Sequence, residues 1–258
     1  MAAVYPTIDL ADYPSIVVPL GTNQGTTVHT HPQQQLTWAP TGVLTMEAGD
    51  CRWVVQRSRA LWIPSGVAHA VFPTATSEML SLYFEADESP VRWTGPTVVD
   101  ATGLTGPLLS HLVSLPEDAV DQRRRAQAVL WDLLTPMSVT TLPTVLPTDP
   151  TAARVAAAIR ADPADARGLD EWGRLVGASA RTLSRRFKAE TGVGFESWRT
   201  YERLNAALPL LAAGRPISRV AEAVGYRTAS AFIAAFRREI GTTPAAYFDG
   251  VVPTGPRS

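Results

Sequence analysis

Apolar positions recur at three- and four-residue spacing through two stretches in the last third of the chain, and the stretches align without gaps. The first has Leu169, Trp172, Leu175 and Val176 on one stripe, then Gly177, then Ser179, then Leu183 and Phe187. The second has Ile217, Val220, Ala221 and Val224, then Gly225, then Thr228, then Phe232 and Phe236. Placing Ser179 over Thr228 brings Leu183 onto Phe232, Phe187 onto Phe236 and Lys188 onto Arg237. Glycine ends a helix in the left-handed conformation without steric cost. A hydroxyl at the next helix start accepts a hydrogen bond from free N–H groups there. Each copy therefore predicts a helix-turn-helix whose second helix keeps one side inward and leaves the other free for a major groove. A plain helical hairpin explains one copy as well, but not two matched ones.

The front of the chain carries a different period. From about Val28 to Val99 short β-type runs alternate with turn residues: Gln35–Ala39, Val43–Glu47, Trp53–Val55, Ala60–Ile63, Ala68–Phe72 and Met79–Phe84. Gly49-Asp50 suits a hairpin, and strands at this density predict a barrel or sandwich. Residues 1–25 read as irregular, broken by Pro6, Pro14 and Pro19. Leu104–Thr135 returns to helical spacing, with Leu108, Leu109, Leu112 and Val113 on one stripe and Ala126, Val129, Leu130 and Leu133 on another. These stripes could cover a barrel end or pair with a second subunit. Arg123-Arg124-Arg125 between them reads best as a solvated helix start. The proline-rich stretch 136–150 predicts a semi-stiff linker. The expected organisation is thus a barrel over 1–103, a helical connecting or dimerisation region over 104–135, the linker, and a helical domain over 151–258. Within the last, Thr151–Ala161 opens with Val155 and Ile159 inward. Phe195–Ala213 joins the repeats on Trp198, Leu204, Ala207 and Leu211, and Pro209 should kink it or remove one hydrogen bond.

Charge sharpens this division. Residues 1–150 hold seven arginines against fourteen acids, whereas residues 151–258 hold sixteen basic side chains against ten acids. The positive half is the one with the repeats, as phosphate neutralisation requires. With 258 residues two cores are affordable. Cys51 is the one cysteine, which excludes an internal disulfide and suits a reducing cytoplasm, where it reads as a small apolar residue. No apolar run is long enough to span a bilayer, and the start, Met1-Ala-Ala-Val-Tyr5-Pro, lacks a secretory pattern. A cytoplasmic protein with no membrane partner is expected.

Residues 166–248 resemble the DNA-binding domain of AraC/XylS-type bacterial transcription regulators. The matching text is Leu183…Phe187-Lys188…Glu190-Thr-Gly192, then Ile217…Val220-Ala221…Val224-Gly225-Tyr226…Phe232…Phe236-Arg-Arg…Gly241-Thr-Thr-Pro244…Tyr247. Ile240 stands where an aromatic is usual and Phe248 where arginine often follows the tyrosine, and both departures concern local packing. The resemblance implies that two reading helices enter successive major-groove segments of double-stranded DNA. The first would present Ala180, Arg181, Ser184 and Arg185 to base edges. Arg227, Ala229, Ser230, Ala231, Ile233 and Ala234 of the second are poorer readers, so the first repeat should set most of the specificity. Arg186, Lys188, Arg237 and Arg238 would meet phosphates, with solvated surface the alternative for each arginine.

The front half resembles a cupin, through His29-Thr-His31-Pro-Gln-Gln-Gln35 and Pro64-Ser-Gly66-Val-Ala-His69. Strand alternation sends His29, His31 and Gln35 to one side. The resemblance adds His69 and implies a divalent-metal site in which Gln35 replaces the glutamate usual there. Three imidazoles suit Zn, Ni, Fe or Cu, but a neutral amide ligates weakly. A polar anchor for an organic effector, or histidines satisfied within the barrel, are the alternatives. Trp38, Trp53 and Trp62 could line a pocket, with core packing the simpler role. The expected fold is therefore multi-domain α and β, with a cupin-type double-stranded β-helix barrel before an all-α tandem helix-turn-helix domain. The expected function is a non-enzymatic, sequence-specific transcription regulator that requires no cofactor and whose DNA affinity responds to a small molecule or metal in the barrel. A homodimer is expected, and RNA polymerase is a further partner the resemblance allows. The rival is a metal-dependent cupin enzyme of dioxygenase or isomerase type with an accessory DNA-binding domain.

Overall fold

Period-two alternation sorts the strand side chains of the first unit into two separate cores. The computed structural model describes residues 15–21, 25–49, 51–73, 76–137, 142 and 145–248. The chain divides into two compact units, Met1–Val139 and Thr140–Ser258. In the first, β1 (Ser15–Leu20), β2 (Gln34–Thr41), β3 (Val43–Ala48), β4 (Cys51–Gln56), β5 (Arg59–Ile63), β6 (His69–Pro73), β7 (Ser77–Phe84) and β8 (Thr97–Asp100) form one antiparallel sheet. Its order is β1-β7-β2-β5-β4-β3-β6, with β8 paired to β5.

One face of all eight strands gathers into a single cluster: Leu20, Ala39, Leu44, Met46, Val55, Leu61, Ile63, Val71, Met79 and Val98. A flat sheet cannot bring eight strands to one cluster, so the sheet is curled and this face is its hollow. The opposite face carries Leu36, Trp38, Ala60, Trp62, Leu80, Leu82, Phe84 and Val99, which pack against Leu109, Leu112 and Leu130. Those last three belong to α1 (Thr105–Ser114) and α2 (Val120–Leu133). The two predicted helical stripes are therefore spent on the outer sheet face. Val129, predicted to join the second stripe, instead stands 43% exposed. Arg123 donates to the carbonyls of Leu112 (3.1 Å) and Leu115 (3.0 Å), holding the α1–α2 loop, while Arg124 and Arg125 are exposed.

Two strands escape the sequence pattern. β1 lies in the stretch expected to be irregular, yet it pairs with β7 from Ser15↔Leu82 to Leu20↔Ser77. Among the described residues β1 ends the strand order, and an edge position is where a strand tolerates a proline such as Pro19. β8 is only four residues long and too short to show a period. β3 and β4 join as a hairpin with Ala48 opposite Cys51, while Asp50 at its turn lies outside the described residues, as does the chain start.

The second unit is helical among its described residues: α3 (Pro150–Ala161), α4 (Leu169–Val176), α5 (Ala180–Thr191), α6 (Phe195–Ala212), α7 (Ile217–Ala223), α8 (Ala229–Ile240) and α9 (Pro244–Phe248). Asp149, Ser179 and Thr228 cap α3, α5 and α8 by accepting from backbone N–H groups, each cap being worth about 1 kcal/mol. Gly177 and Gly225 take φ of 73° and 82° at the turns of the two repeats. The first repeat packs Trp172, Leu183, Phe187, Phe195 and Trp198 onto α3. The second stacks Tyr226, Phe232, Phe236 and Tyr247 in edge contacts between 5.5 and 5.8 Å. Leu175, expected inward, is 54% exposed because α4 is short and its buried contacts centre on Trp172. The α6 helix continues through Pro209, whose ring is buried.

The predicted linker is held at both ends. Pro136 bridges Val99, and Met137 donates to the carbonyl of Val98 at 2.8 Å. On the helical unit, Leu142 is buried and the Val145 carbonyl accepts from the Trp198 indole at 2.9 Å. Glu190 accepts from the N–H groups of Thr148 and Asp149.

Candidate DNA-reading face and histidine cluster

The buried side of α5 is settled by Leu183 and Phe187, both fully buried, and this fixes what the other side shows. Arg181, Ser184, Arg185 and Lys188 are exposed, and Ala180 is half-buried. A shallow open groove is lined by Arg181, Thr182, Ser184, Arg185, Lys188 and Ala189. On α8 the same geometry buries Phe232 and Phe236 and leaves Ser230, Ala231, Ala234, Arg237 and Arg238 exposed, with Ala229 and Ile233 half-buried. Arg227 is exposed in the turn before it.

The cations differ in how free they are. Arg186 is ion-paired to Asp149 at 3.0 Å and donates to Thr151, which ties it to the start of α3. Lys188 donates to the Gly192 carbonyl at 2.8 Å, and Arg238 pairs with Glu239 at 2.7 Å, both at exposed sites where such pairs are worth little. Arg181, Arg185, Arg227 and Arg237 have no such partner among the described residues, so their guanidiniums are available to a ligand.

The hollow of the curled sheet holds a second constellation. His29, His31 and His69 offer ring nitrogens that all lie within 4.8 Å of one another. The β-bridge His29↔His69 brings the two sequence motifs together. Each ring is oriented by a backbone carbonyl two residues away: Nδ1 of His29 to Thr27, of His31 to Gln33, of His69 to Val67, each at 2.8 Å. Carbonyl oxygens only accept, so each neutral ring carries its proton on Nδ1 and presents an Nε2 lone pair. Nε2 of His69 is buried with no hydrogen-bond partner. Burial, with the neighbouring His29 and His31 adding to it, lowers the His69 pKa to about 4, against an opposing pull from its bond to Val67. That ring is neutral at physiological pH.

Gln35 lies where alternation predicted, its Oε1 3.0 Å from His31 Nε2 and its amide nitrogen 2.7 Å from Thr37 Oγ1 and 3.0 Å from Ser81 Oγ. Thr37, Ser81 and Tyr83 were missed in the sequence reading. The same period of two carries Gln35 to Thr37, and β7 pairs Thr37 with Ser81 and Gln35 with Tyr83. The Tyr83 ring meets the His31 ring edge-on at 5.4 Å, and burial raises its phenol pKa so that it stays protonated. Two of the tryptophans lie on the other face of the sheet, and the third packs against the core in the hollow. Trp62 and Trp38 belong to the outer core, and Trp53 bonds the Ala48 carbonyl at 3.1 Å.

Similarity to known proteins extends over most of the chain. A helix-turn-helix domain family matches residues 172–250, which begins within the first helix of the first repeat and takes in the whole of the second. The HTH-type transcriptional regulator NimR of Escherichia coli is 31% identical over 245 residues, covering 92% of this chain and 88% of NimR. The HTH-type transcriptional regulator RipA of Corynebacterium glutamicum is 40% identical over 110 residues, 43% of this chain and 33% of RipA. Among solved structures, the C-terminal domain of AraT, a response regulator from Geobacillus stearothermophilus, is 27% identical over 43% of this chain and 94% of that domain, with a TM-score of 0.38. No helix among the described residues is long and apolar enough to cross a membrane. Two capped helix-turn-helix repeats with exposed arginines, joined to a curled sheet over a near full-length match to NimR, place this chain in the AraC family of DNA-binding transcription regulators.

Proposed function

We propose that the first unit is a sensor whose occupancy at His29, His31 and His69 sets the affinity of the second unit for its operator. The observation that carries this is the convergence of three imidazoles with ring nitrogens within 4.8 Å of one another, each ring held at Nδ1 by a backbone carbonyl and so left with Nε2 as its donor atom. Such an orienting bond is what metal-ligating histidines use. Zn, Ni, Fe or Cu in divalent form fits this donor set, and Gln35 Oε1 is close enough to His31 to share the ion. A neutral His31 and Gln35 Oε1 would otherwise be two acceptors facing each other at 3.0 Å. An ion held by these residues would supply positive charge that an anionic or electron-pair-donating effector could meet. The competing state is ion-free, with the Gln35 amide reversed end for end so that it donates to His31.

On the DNA side, Arg181 and Arg185 read base edges through α5, Arg227 belongs with the weaker readers of the second repeat, and Arg237 meets phosphates. The α8 face, with Ser230 its polar side chain between alanines, reads less. An effector shifts operator affinity only by its differential affinity for two arrangements of the protein, typically 1–3 kcal/mol or about 5- to 150-fold. A homodimer formed through α2 would use what the helix leaves outward, Val120 at 66% and Val129 at 43% exposed, since Leu130 is buried on the sheet with Ala126 packed against it.

The test is metal content and operator affinity measured together. The wild-type chain should purify with, or take up, a stoichiometric divalent ion, and His31→Ala should lose most of it. Operator affinity should change between metal-loaded and chelator-treated wild type but not in the variant. Equal metal in both proteins, or none in either after incubation with Zn, Ni, Fe and Cu, removes the metal site and leaves the ion-free network.

A further inference from the structure

α6 is the rod between the two helix-turn-helix halves, packing against α3 and α5 on one side and α7 and α8 on the other. It is not a strong rod. Pro209 lacks the N–H that a helix directs to the carbonyl of Asn205, and the Asn205 side chain is buried with neither polar atom partnered. A direct contact between the halves would add to the angle that the packing of α6 sets.

Arg203 reaches both. Its Nε donates to the Pro163 carbonyl at 2.9 Å and its Nη2 to the Asp165 carbonyl at 3.0 Å, gripping the α3–α4 loop of the first half. The same guanidinium lies 5.8 Å over the ring of Tyr226, in the α7–α8 turn of the second half. Gly225, beside that tyrosine, approaches so closely that a Cβ there would stand 2.8 Å from Ala164 Cα and 2.9 Å from Arg203 Nη2. The turn of one half thus rests on the loop of the other with a planar cation between them. Nearby, Arg199 donates to the Arg167 carbonyl at 2.8 Å and stiffens the same loop.

We propose that Arg203 is a positioning residue that locks the two reading helices into one separation and angle, and so determines the spacing between the two DNA elements the protein accepts. This rests on the reading in which both repeats enter the groove. A forked, planar guanidinium can bond two carbonyls and face a ring together, which a lysine ammonium cannot do. Two binding modules joined rigidly at the right span gain effective concentration for the second contact, and loosening the joint dilutes it.

The experiment uses the full chain and a duplex that the wild type selects from a random pool. Derivatives have one element scrambled, or one base pair inserted or removed between the elements. Wild type should bind the selected spacing at least tenfold tighter than either altered spacing. Arg203→Ala should bind the selected duplex tenfold or more weakly than wild type, keep single-element affinity within twofold, and lose most of the spacing preference. An equal loss on one-element and two-element duplexes, or an unchanged spacing preference, overturns the proposal, because a general folding defect lowers both alike. A wild type indifferent to spacing overturns the two-groove reading and the clasp with it. If Arg203→Ala does not fold, Arg203→Lys, which keeps the charge and one bond, should broaden the spacing preference by a smaller factor. Spacing as strict as wild type in that variant refutes the clasp.

Discussion

Arg185→Ala offers the cleanest view of how the first repeat reads DNA. Arg185 is exposed on α5 and has no hydrogen-bond or ion-pair partner among the described residues, so removing it should leave stability within about 0.5 kcal/mol. Arg181 is one turn earlier on the same face, about 6 Å along the axis at 1.5 Å per residue. With base pairs about 3.4 Å apart, the two side chains should address positions about two base pairs apart. A bidentate arginine–guanine contact discriminates by about 1–3 kcal/mol, or about 5- to 150-fold. The assay titrates wild type and variant against the selected operator and a set of its single-base substitutions, at two salt concentrations. The variant should lose that factor on the operator, become indifferent to substitution at one position, and keep its non-specific affinity. A uniform loss on every sequence, with the salt dependence reduced by about one phosphate contact, would show that Arg185 meets the backbone instead and refute the assignment.

Ser230→Ala should cost less specificity than Arg185→Ala in the same titration, and a larger loss there would reverse the ranking of the repeats. Phe236, fully buried between Phe232 and Tyr247, should cost about 3–5 kcal/mol on replacement by Ala, read as a lower denaturation midpoint and the loss of operator binding at ambient temperature. Asp149, held below its ordinary 3.8 chiefly by the Thr151 hydroxyl, and Glu190, held below 4.5 by the N–H groups of Asp149 and Thr148, both favour folding when ionised. Their contribution is present above those ordinary values and lost as pH falls through the lowered ones. The helical unit should therefore lose thermal stability below about pH 4, with a shallower fall in a combined Asp149→Asn and Glu190→Gln variant. An acid profile unchanged by these substitutions would place the sensitivity elsewhere.

The two repeats are legible in the amino-acid sequence, because each of their features is local. Helical stripes, a glycine at each turn and a hydroxyl at each cap are read within a dozen residues, and the inward pairs Leu183/Phe187 and Phe232/Phe236 then dictate the exposed side. Alternation along β2 likewise placed Gln35 on the face it takes. The features that no local pattern shows involve residues far apart in the chain. β1 and β8 become strands through their pairing with β7 and β5, not through any pattern of their own. The binding of Arg186 to Asp149, the orphaned Nε2 of His69, and the bridging of Pro163, Asp165 and Tyr226 by Arg203 each depend on which elements pack side by side. Local periodicity says which side of an element is buried, whereas partners for long polar side chains are chosen by packing across sequence distances that no local pattern spans.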